Sequence, residues 1–281
     1  MIKREKPFSN WRMYCLVFLV LFVWILWGNI SIQTSIYKIR SERIPEEFDG
    51  YTIAQVSDLH NAEFGSKNRR LLSALKKTKC DILVLTGDLV DWRKTDIDIA
   101  IDFAKAAVKI APTYYVTGNH EARMAEYSQL KSKLIEVGVI VLEDEEVFIE
   151  RGDARLKLIG LQDTNFQKEG THKKRIEKSL QKFTFGEEYT IVLAHNPILF
   201  SSYVKANADL VLAGHTHGGQ FRIPFFGGLY SPSTGWFPDY DGGLYTEGNM
   251  QMLVSRGLGN SQFPVRINNR AQIVVAKLEK I

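Results

Sequence analysis

Cysteine is scarce: two in 281 residues, too few for a disulfide framework. A net positive charge on the main body is also missing. Of 36 Lys+Arg and 32 Asp+Glu, seven basic and two acidic residues fall in positions 1–43, leaving 29 basic against 30 acidic, or −1, for residues 44–281. Capture of nucleic acid by electrostatics has no footing there, and no nucleic-acid partner is expected. No internal repeat is present, so a repeat array is excluded. What remains is ordinary globular composition, 45% hydrophobic and 24% charged, which rules out wholesale disorder, collagen-like and coiled-coil chains. The length is enough to bury a sizeable core.

Charge is absent altogether from Met13 to Tyr37, a run of 25 residues. Its heart, residues 14–27, is almost entirely Leu, Val, Phe, Ile and Trp. A bilayer core needs roughly 20 predominantly apolar residues in a helix, and a buried helix of a soluble domain would show a polar face. Trp11, Trp24 and Trp27 lie near the two ends, where interfacial aromatics are favoured. A cleaved export signal is the competing reading, but the stretch is long for one and no small-x-small site follows directly. The expectation is a short basic tail over 1–12, a single-pass anchor over 13–33 and a linker over 34–50. Lys3, Arg4, Lys6 and Arg12 precede the anchor, and Lys38, Arg40 and Arg43 follow it. That bias favours a cytoplasmic N-terminus and a catalytic domain on the extracytoplasmic side of the cell membrane. Cys15 lies in the anchor and Cys80 beyond it, so they are poor disulfide partners.

From residue 51 onward, β and α patterns alternate. Strands are expected over 51–57, 81–86, 113–117, 139–142, 147–151, 156–161, 190–194, 210–213, 252–255 and 271–278. Helices are expected over 68–79, 96–110, 124–137 and 173–183, with a short one after Pro197. The run DILVLT at 81–86 suits a strand covered on both faces. Residues 214–259 hold 11 of the 21 glycines with many aromatics and read as long surface loops. The whole reads as one α/β domain with open sheets over 51–281.

Five of the six histidines sit just beyond apolar strand-like runs: His60 in SDLH, His120 in TGNHE, His195 in LAHN, and His215 and His217 in GHTHGGQ. Asp58 is two residues before His60, and Asp88 and Asp91 lie in TGDLVD. Strand ends form the ligand crevice of open α/β sheets, so alternation can gather these groups. His nitrogen and Asp oxygen are preferred ligands for Zn, Fe and Mn. Residues i and i+2 in an extended turn can face one ion, and a carboxylate such as Asp88 can bridge two. Gly87, Gly118 and Gly214 each precede a candidate ligand, where glycine permits close backbone approach. A single D-x-H or G-D-x-x-D has bland explanations, including capping; the ordered set of five elements does not. His172, in THKKR, reads as a solvated surface residue.

This ordered set, Asp58-x-His60, Gly87-Asp88-x-x-Asp91, Gly118-Asn119-His120-Glu121, His195 and Gly214-His215-x-His217, resembles the calcineurin-like metallophosphoesterases over roughly residues 50–280. GHTHGGQFRIP and SRGLGNSQFPVRIN further resemble its membrane-anchored, YaeI- and YkuE-like phosphodiesterase branch. The resemblance implies a four-layer αββα sandwich and two divalent ions (Mn, Zn, Fe or Co, with Mn favoured). It implies Asp58, His60 and His217 on one ion, Asn119, His195 and His215 on the other, and Asp88 between them. His120 would face the scissile phosphate, oriented by Asp91. Two such ions lower the pKa of a bound water and clamp a phosphoryl group, and His120 would stabilise the transition state or protonate the leaving oxygen.

The expected activity is metal-dependent hydrolysis of a phosphodiester or pyrophosphate bond, the substrate being lipid- or envelope-linked. The alternatives are a phosphomonoesterase or nucleotidase with the same metals, and a non-catalytic, metal-stabilised binding module tethered to the membrane. The aromatics of 218–250, Trp236 and Phe237 among them, are ordinary packing or an apolar rim that admits a lipid-linked substrate. The HKKR run at 172–175 is a solvated helix face or a contact for anionic headgroups.

Overall fold

The computed structural model describes residues 11–231, 233–260 and 262–281. Most of the basic tail expected over 1–12 lies outside them. The first half of the chain forms α1 (Trp11–Ile30), β1 (Ile32–Ser41), β2 (Thr52–Val56), α2 (Arg69–Thr78), β3 (Ile82–Thr86), α3 (Ile97–Ala107), β4 (Thr113–Val116), α4 (Tyr127–Glu136) and β5 (Ile140–Val141). Next come β6 (Glu145–Arg151), β7 (Ala154–Gly160), α5 (His172–Leu180), β8 (Thr190–Leu193), α6 (Phe200–Lys205) and β9 (Leu210–Ala213). The last part forms β10 (Phe221–Ile223), β11 (Gly227–Ser231), β12 (Gly235–Trp236), β13 (Gly243–Glu247), β14 (Met250–Val254) and β15 (Ala271–Lys280).

Two six-stranded mixed sheets, ordered β1-β15-β2-β3-β4-β5 and β13-β14-β9-β8-β7-β6, form the body. Their apolar runs divide by the period of two that a strand imposes. Ile82 and Val84 of β3, Ile191 and Leu193 of β8, and Leu210 and Leu212 of β9 share one core with Val274 and Leu278, between the sheets. The alternate residues Leu83 and Leu85 join Leu71 and Leu75 of α2, Phe103 of α3 and Leu130 of α4 on the outer side of the first sheet. Val192 and Val211 join Ile176 and Leu180 of α5 with Phe200 and Tyr203 of α6 outside the second. Three cores between four layers make the αββα sandwich, which is why DILVLT has no polar face. Asp96 caps α3 by accepting from the Asp98 amide, and Thr171 caps α5 through the Lys174 amide.

The N-terminal boundaries differ from expectation. Helix α1 ends at Ile30 rather than 33, and the first half of the expected linker, residues 34–41, is strand. β1 pairs in parallel with β15 from Ile32↔Ala271 to Ser41↔Lys280, so the sheet starts some twenty residues before position 51. Its inward face alternates as a strand should, yet half of it is polar. Gln33 Oε1 accepts from Arg256 at 2.9 Å, Ser35 Oγ accepts from Gln272 at 2.8 Å, and only Tyr37 and Ile39 pack as hydrophobes. The glycine-rich stretch expected as loops also carries a small sheet, β10-β11-β12, and the edge strand β13.

Candidate metal centre

The ends of β2, β3, β4, β8 and β9 converge, and the loops that leave them lock together through backbone hydrogen bonds. Asp58 N donates to Gly87 O and His60 N to Asp88 O, each at 3.0 Å, and Gly259 N donates to Asp58 O at 2.7 Å. The packing leaves no room for side chains where the loops cross. A Cβ on Gly118 would fall 2.2 Å from Asp88 Oδ1, and one on Gly214 would fall 1.9 Å from Ser57 Oγ. Asp58, His60, Asp88, His215 and His217 all have positive φ, between 46° and 74°. Left-handed backbone costs a non-glycine residue of order 1–3 kcal/mol and clusters at functional sites.

Three groups of candidate ligands result among the described residues, Asp58–His60–His217, Asp88–His195–His215 and, sharing His60, His60–Asp91–His120; the first two face each other across Asp88. In the first, His217 Nε2 lies 3.4 Å from Asp58 Oδ1 and 3.1 Å from His60 Nε2. In the second, His195 Nε2 lies 3.2 Å from Asp88 Oδ2 and 3.2 Å from His215 Nδ1. Asp88 Oδ2 is also 3.6 Å from His60 Nε2, so this carboxylate faces both groups. His195 Nδ1–H donates to Thr86 O at 2.8 Å, leaving Nε2 free for the centre, as a metal-ligating histidine requires. Asn119 is buried, and its Oδ1 has no hydrogen-bond partner among the described residues.

Burial holds His60 and His215 down at about 3, and it drives His217 well below the usual imidazole range. Neutral rings with nitrogens aimed at one another, an orphaned amide oxygen and two buried carboxylates form an N/O donor set that fits divalent cations. Burial pushes Asp58 up to about 6. Burial likewise opposes charge on both Asp88 and His195, but their mutual attraction holds the carboxyl low and the imidazole high.

His120 sits at the edge of the two groups. Its Nε2 is 3.9 Å from Asp88 Oδ2, and its Nδ1 is 3.4 Å from Asp91 Oδ1 and 3.4 Å from the Trp92 amide. Burial lowers its pKa. Asp88, Asn119, His120, His215 and His217 all reach a cavity of about 340 Å³, walled also by Arg93, Arg123, Asn165, Asn196 and Gln262. Arg93 and Arg123 both lie 5.8 Å from the Trp92 ring, which places two cations at the mouth. His172, read from sequence as solvated, is exposed but also lines this cavity, with Nδ1 2.6 Å from Thr164 Oγ1.

Two supporting residues had no role in the sequence reading. Glu121 is fully buried and accepts from the amides of Asp88, Leu89 and Gly118 at 2.9, 2.8 and 2.7 Å. Arg266 is also buried; its guanidinium reaches Arg256 O at 2.8 Å and His217 Nδ1 at 3.3 Å. Only the motif strings around them, GNHE and SRGLGNSQFPVRIN, drew attention to either.

An αββα sandwich whose strand ends gather two His/Asp groups around a shared carboxylate has the architecture of a metal-dependent phosphoester hydrolase. A model of the calcineurin-like phosphoesterase family matches residues 51–219, and the chain belongs to that family. It is 27% identical to the uncharacterized metallophosphoesterase YkuE of Bacillus subtilis, over 88% of this chain and 86% of that one. It is 27% identical to the phosphodiesterase YaeI of Escherichia coli, over 81% and 82%. A transmembrane protein with a metallophosphoesterase domain from Danio rerio is 28% identical over 84% of this chain, which spans 55% of that relative. The chain is therefore a hydrolase of the metallophosphoesterase kind; the family uses divalent metals, and this chain presents groups of candidate ligands for them. Its apolar N-terminal helix is a candidate membrane anchor.

Proposed function

We propose that this protein is a membrane-anchored phosphodiesterase with a binuclear centre that acts on lipid- or envelope-linked phosphodiesters or pyrophosphates. The observation that carries this reading is the placement of Asp88 between the two His/Asp groups, with His120 beside it. Asp58, His60 and His217 would hold one ion, Asn119, His195 and His215 the other, with Asp88 common to both. Bound divalent ions would supply Lewis acidity toward a phosphoryl oxygen and a lowered pKa for water. The protein's own groups do the rest. The Trp92 amide donates to His120 Nδ1, and the Asp91 carboxylate beside that nitrogen would orient the ring and favour its protonated form, leaving Nε2–H toward the cavity, where it would stabilise or protonate the leaving oxygen. Asn119 and the cations Arg93 and Arg123 bind and orient the anionic ester in a cavity of about 340 Å³. Manganese is the favoured metal.

The anchor is α1, 20 residues with no buried side chain. The basic residues before and after it favour an extracytoplasmic catalytic domain, and the relatives YaeI and the Danio rerio protein, by their names, support the diester and membrane readings respectively. The test is hydrolysis by the full chain, stripped of metal and reloaded singly with Mn, Zn, Co or Fe, on matched aryl phosphate diesters and monoesters. Metal-dependent cleavage that prefers the diester is expected. A monoester preference would replace this reading with a phosphatase or nucleotidase, and no turnover despite two bound ions would replace it with a binding module.

A further inference from the structure

We propose that the aromatic turns of the β10–β12 ribbon dock into the interface of the bilayer leaflet from which α1 emerges, so that the catalytic cavity opens at headgroup level. The occupant of this surface is a lipid bilayer with anionic headgroups. The proposal rests on α1 crossing the membrane and not on the chemistry of the site.

The first observation is the missing linker. A single residue, Ser31, separates α1 from β1. At about 1.5 Å per residue the 20 residues of α1 reach about 30 Å, the thickness of the hydrocarbon core. The described helix is just long enough to cross, so its root lies at the interface and brings the domain with it. The root is also fixed. Asn29 exchanges two hydrogen bonds with the Arg266 backbone, each 2.8 Å, and the Arg270 guanidinium lies 4.5 Å over the Trp27 ring and bonds Ser31 Oγ at 2.8 Å. Arg70 bonds Ile30 O at 2.7 Å.

The second observation is which end of the domain this is. β1 runs parallel to β15, and β15 runs antiparallel to β2 with Val274 opposite Gln55. Extending that register brings Ala271, and with it Ile32, level with Asp58. The helix therefore leaves the molecule at the end where the ligand loops lie.

The third observation is what else projects there. Phe225 and Phe226, in the turn after β10, are 105% and 83% exposed, and Trp236 and Phe237, at β12, are 67% and 64% exposed. These are the side chains an interface accepts. The ribbon is bonded to the helix root through one short segment: Arg222 N donates to Ile267 O at 3.0 Å, and Gln220 Nε2 to Val265 O at 3.0 Å, on either side of Arg266. The ribbon also walls the catalytic cavity, through Ser233. Exposed Lys67, Arg69 and Arg70 flank the root and suit anionic headgroups.

The test uses the full chain with Cys15→Ser and Cys80→Ala, carrying one introduced cysteine at a time, F226C, W236C, D153C or L21C. Each is nitroxide-labelled and reconstituted in vesicles of phosphatidylcholine and phosphatidylglycerol, and power saturation compares collisions with oxygen and with a water-soluble nickel chelate. Asp153, exposed between β6 and β7, marks the opposite end of the sheets. The expected result is lipid-like accessibility at 21, 226 and 236, with several-fold loss of nickel collisions relative to 153. Water-like accessibility at 226 or 236 with a lipid-like label at 21 overturns the docking surface and leaves the anchor standing. A water-like label at 21 overturns both, and none of these outcomes depends on turnover.

Discussion

Glu121 shows how much of this centre is built by groups that touch no substrate. Its carboxylate accepts from the amides of Asp88, Leu89 and Gly118, and from Val90 at 3.3 Å, stitching the loop after β3 to the loop after β4. Burial and the nearby Asp88 charge push its carboxyl up to about 7, against amide donors that favour the anion. Glu121→Gln keeps the shape but turns one acceptor into a donor facing amides. An orphaned buried donor costs about 1–3 kcal/mol, so a loss of about 3 kcal/mol in unfolding free energy is expected. Metal affinity should fall by about 10–100-fold, the range for groups that orient ligands. Denaturant unfolding and metal titration check both, and unchanged stability would remove Glu121 from this role. Asp88 and His120 separate in a different way. Asp88→Asn deletes the charge that faces both ligand groups and is expected to lose bound metal together with activity. His120→Ala is expected to keep its metal and lose about 10²–10⁴-fold in turnover, the usual contribution of a positioned proton donor. Metal analysis of the two purified variants distinguishes them, and equal loss of metal from both would refute the assignment of His120.

At the scale of elements, what could be read in the sequence was what is local. Each candidate ligand follows a short apolar strand within a few residues, so SDLH, TGDLVD, TGNHE, LAHN and GHTHGGQ announced both the strand and the side chain that leaves its end. β1 announced nothing, because its partner β15 lies some 240 residues away and its inward residues Gln33 and Ser35 are satisfied by Arg256 and Gln272 rather than by apolar packing. The residues that support the centre were silent for a similar reason. Glu121 acts on backbone amides, which no motif records, and Arg266 reaches His217 across 49 residues. The practical consequence is a boundary. A chain begun near residue 42 looks sensible from sequence but removes β1, strips the edge of β15 and exposes the partners of Ile39, which is fully buried. Burying one such side chain contributes about 2 kcal/mol, and the edge ladder, its hydrogen bonds largely offset by the entropy of ordering the strand, is expected to add about as much again. A chain from residue 31 is expected to melt about 10 °C above one from residue 42, on about 4 kcal/mol at roughly 2–4 °C per kcal/mol. Thermal unfolding of the two purified chains decides it, and equal midpoints would make β1 an ornament of the sheet.

For the whole molecule, the decisive relation is between the anchor and the mouth of the cavity. The net charge of −1 over residues 44–281 offers no long-range attraction to an anionic surface. In the proposed arrangement, proximity to the bilayer comes from α1 and the short-range contacts at its root. An enzyme held this way meets a lipid-linked ester as a component of a two-dimensional phase, whose concentration is its mole fraction in the surface. The full chain in vesicles should therefore respond to surface dilution. At fixed bulk substrate, tenfold dilution of a lipid-presented phosphodiester with inert phosphatidylcholine is expected to lower its rate by about tenfold below saturation, while a water-soluble aryl diester in the same vesicles is cleaved at an unchanged rate. The second substrate guards against inhibition by the added lipid. If both rates stayed constant on dilution, the cavity would be drawing its substrate from solution, and the proposed placement of the catalytic end against the membrane would have no bearing on what the enzyme hydrolyses.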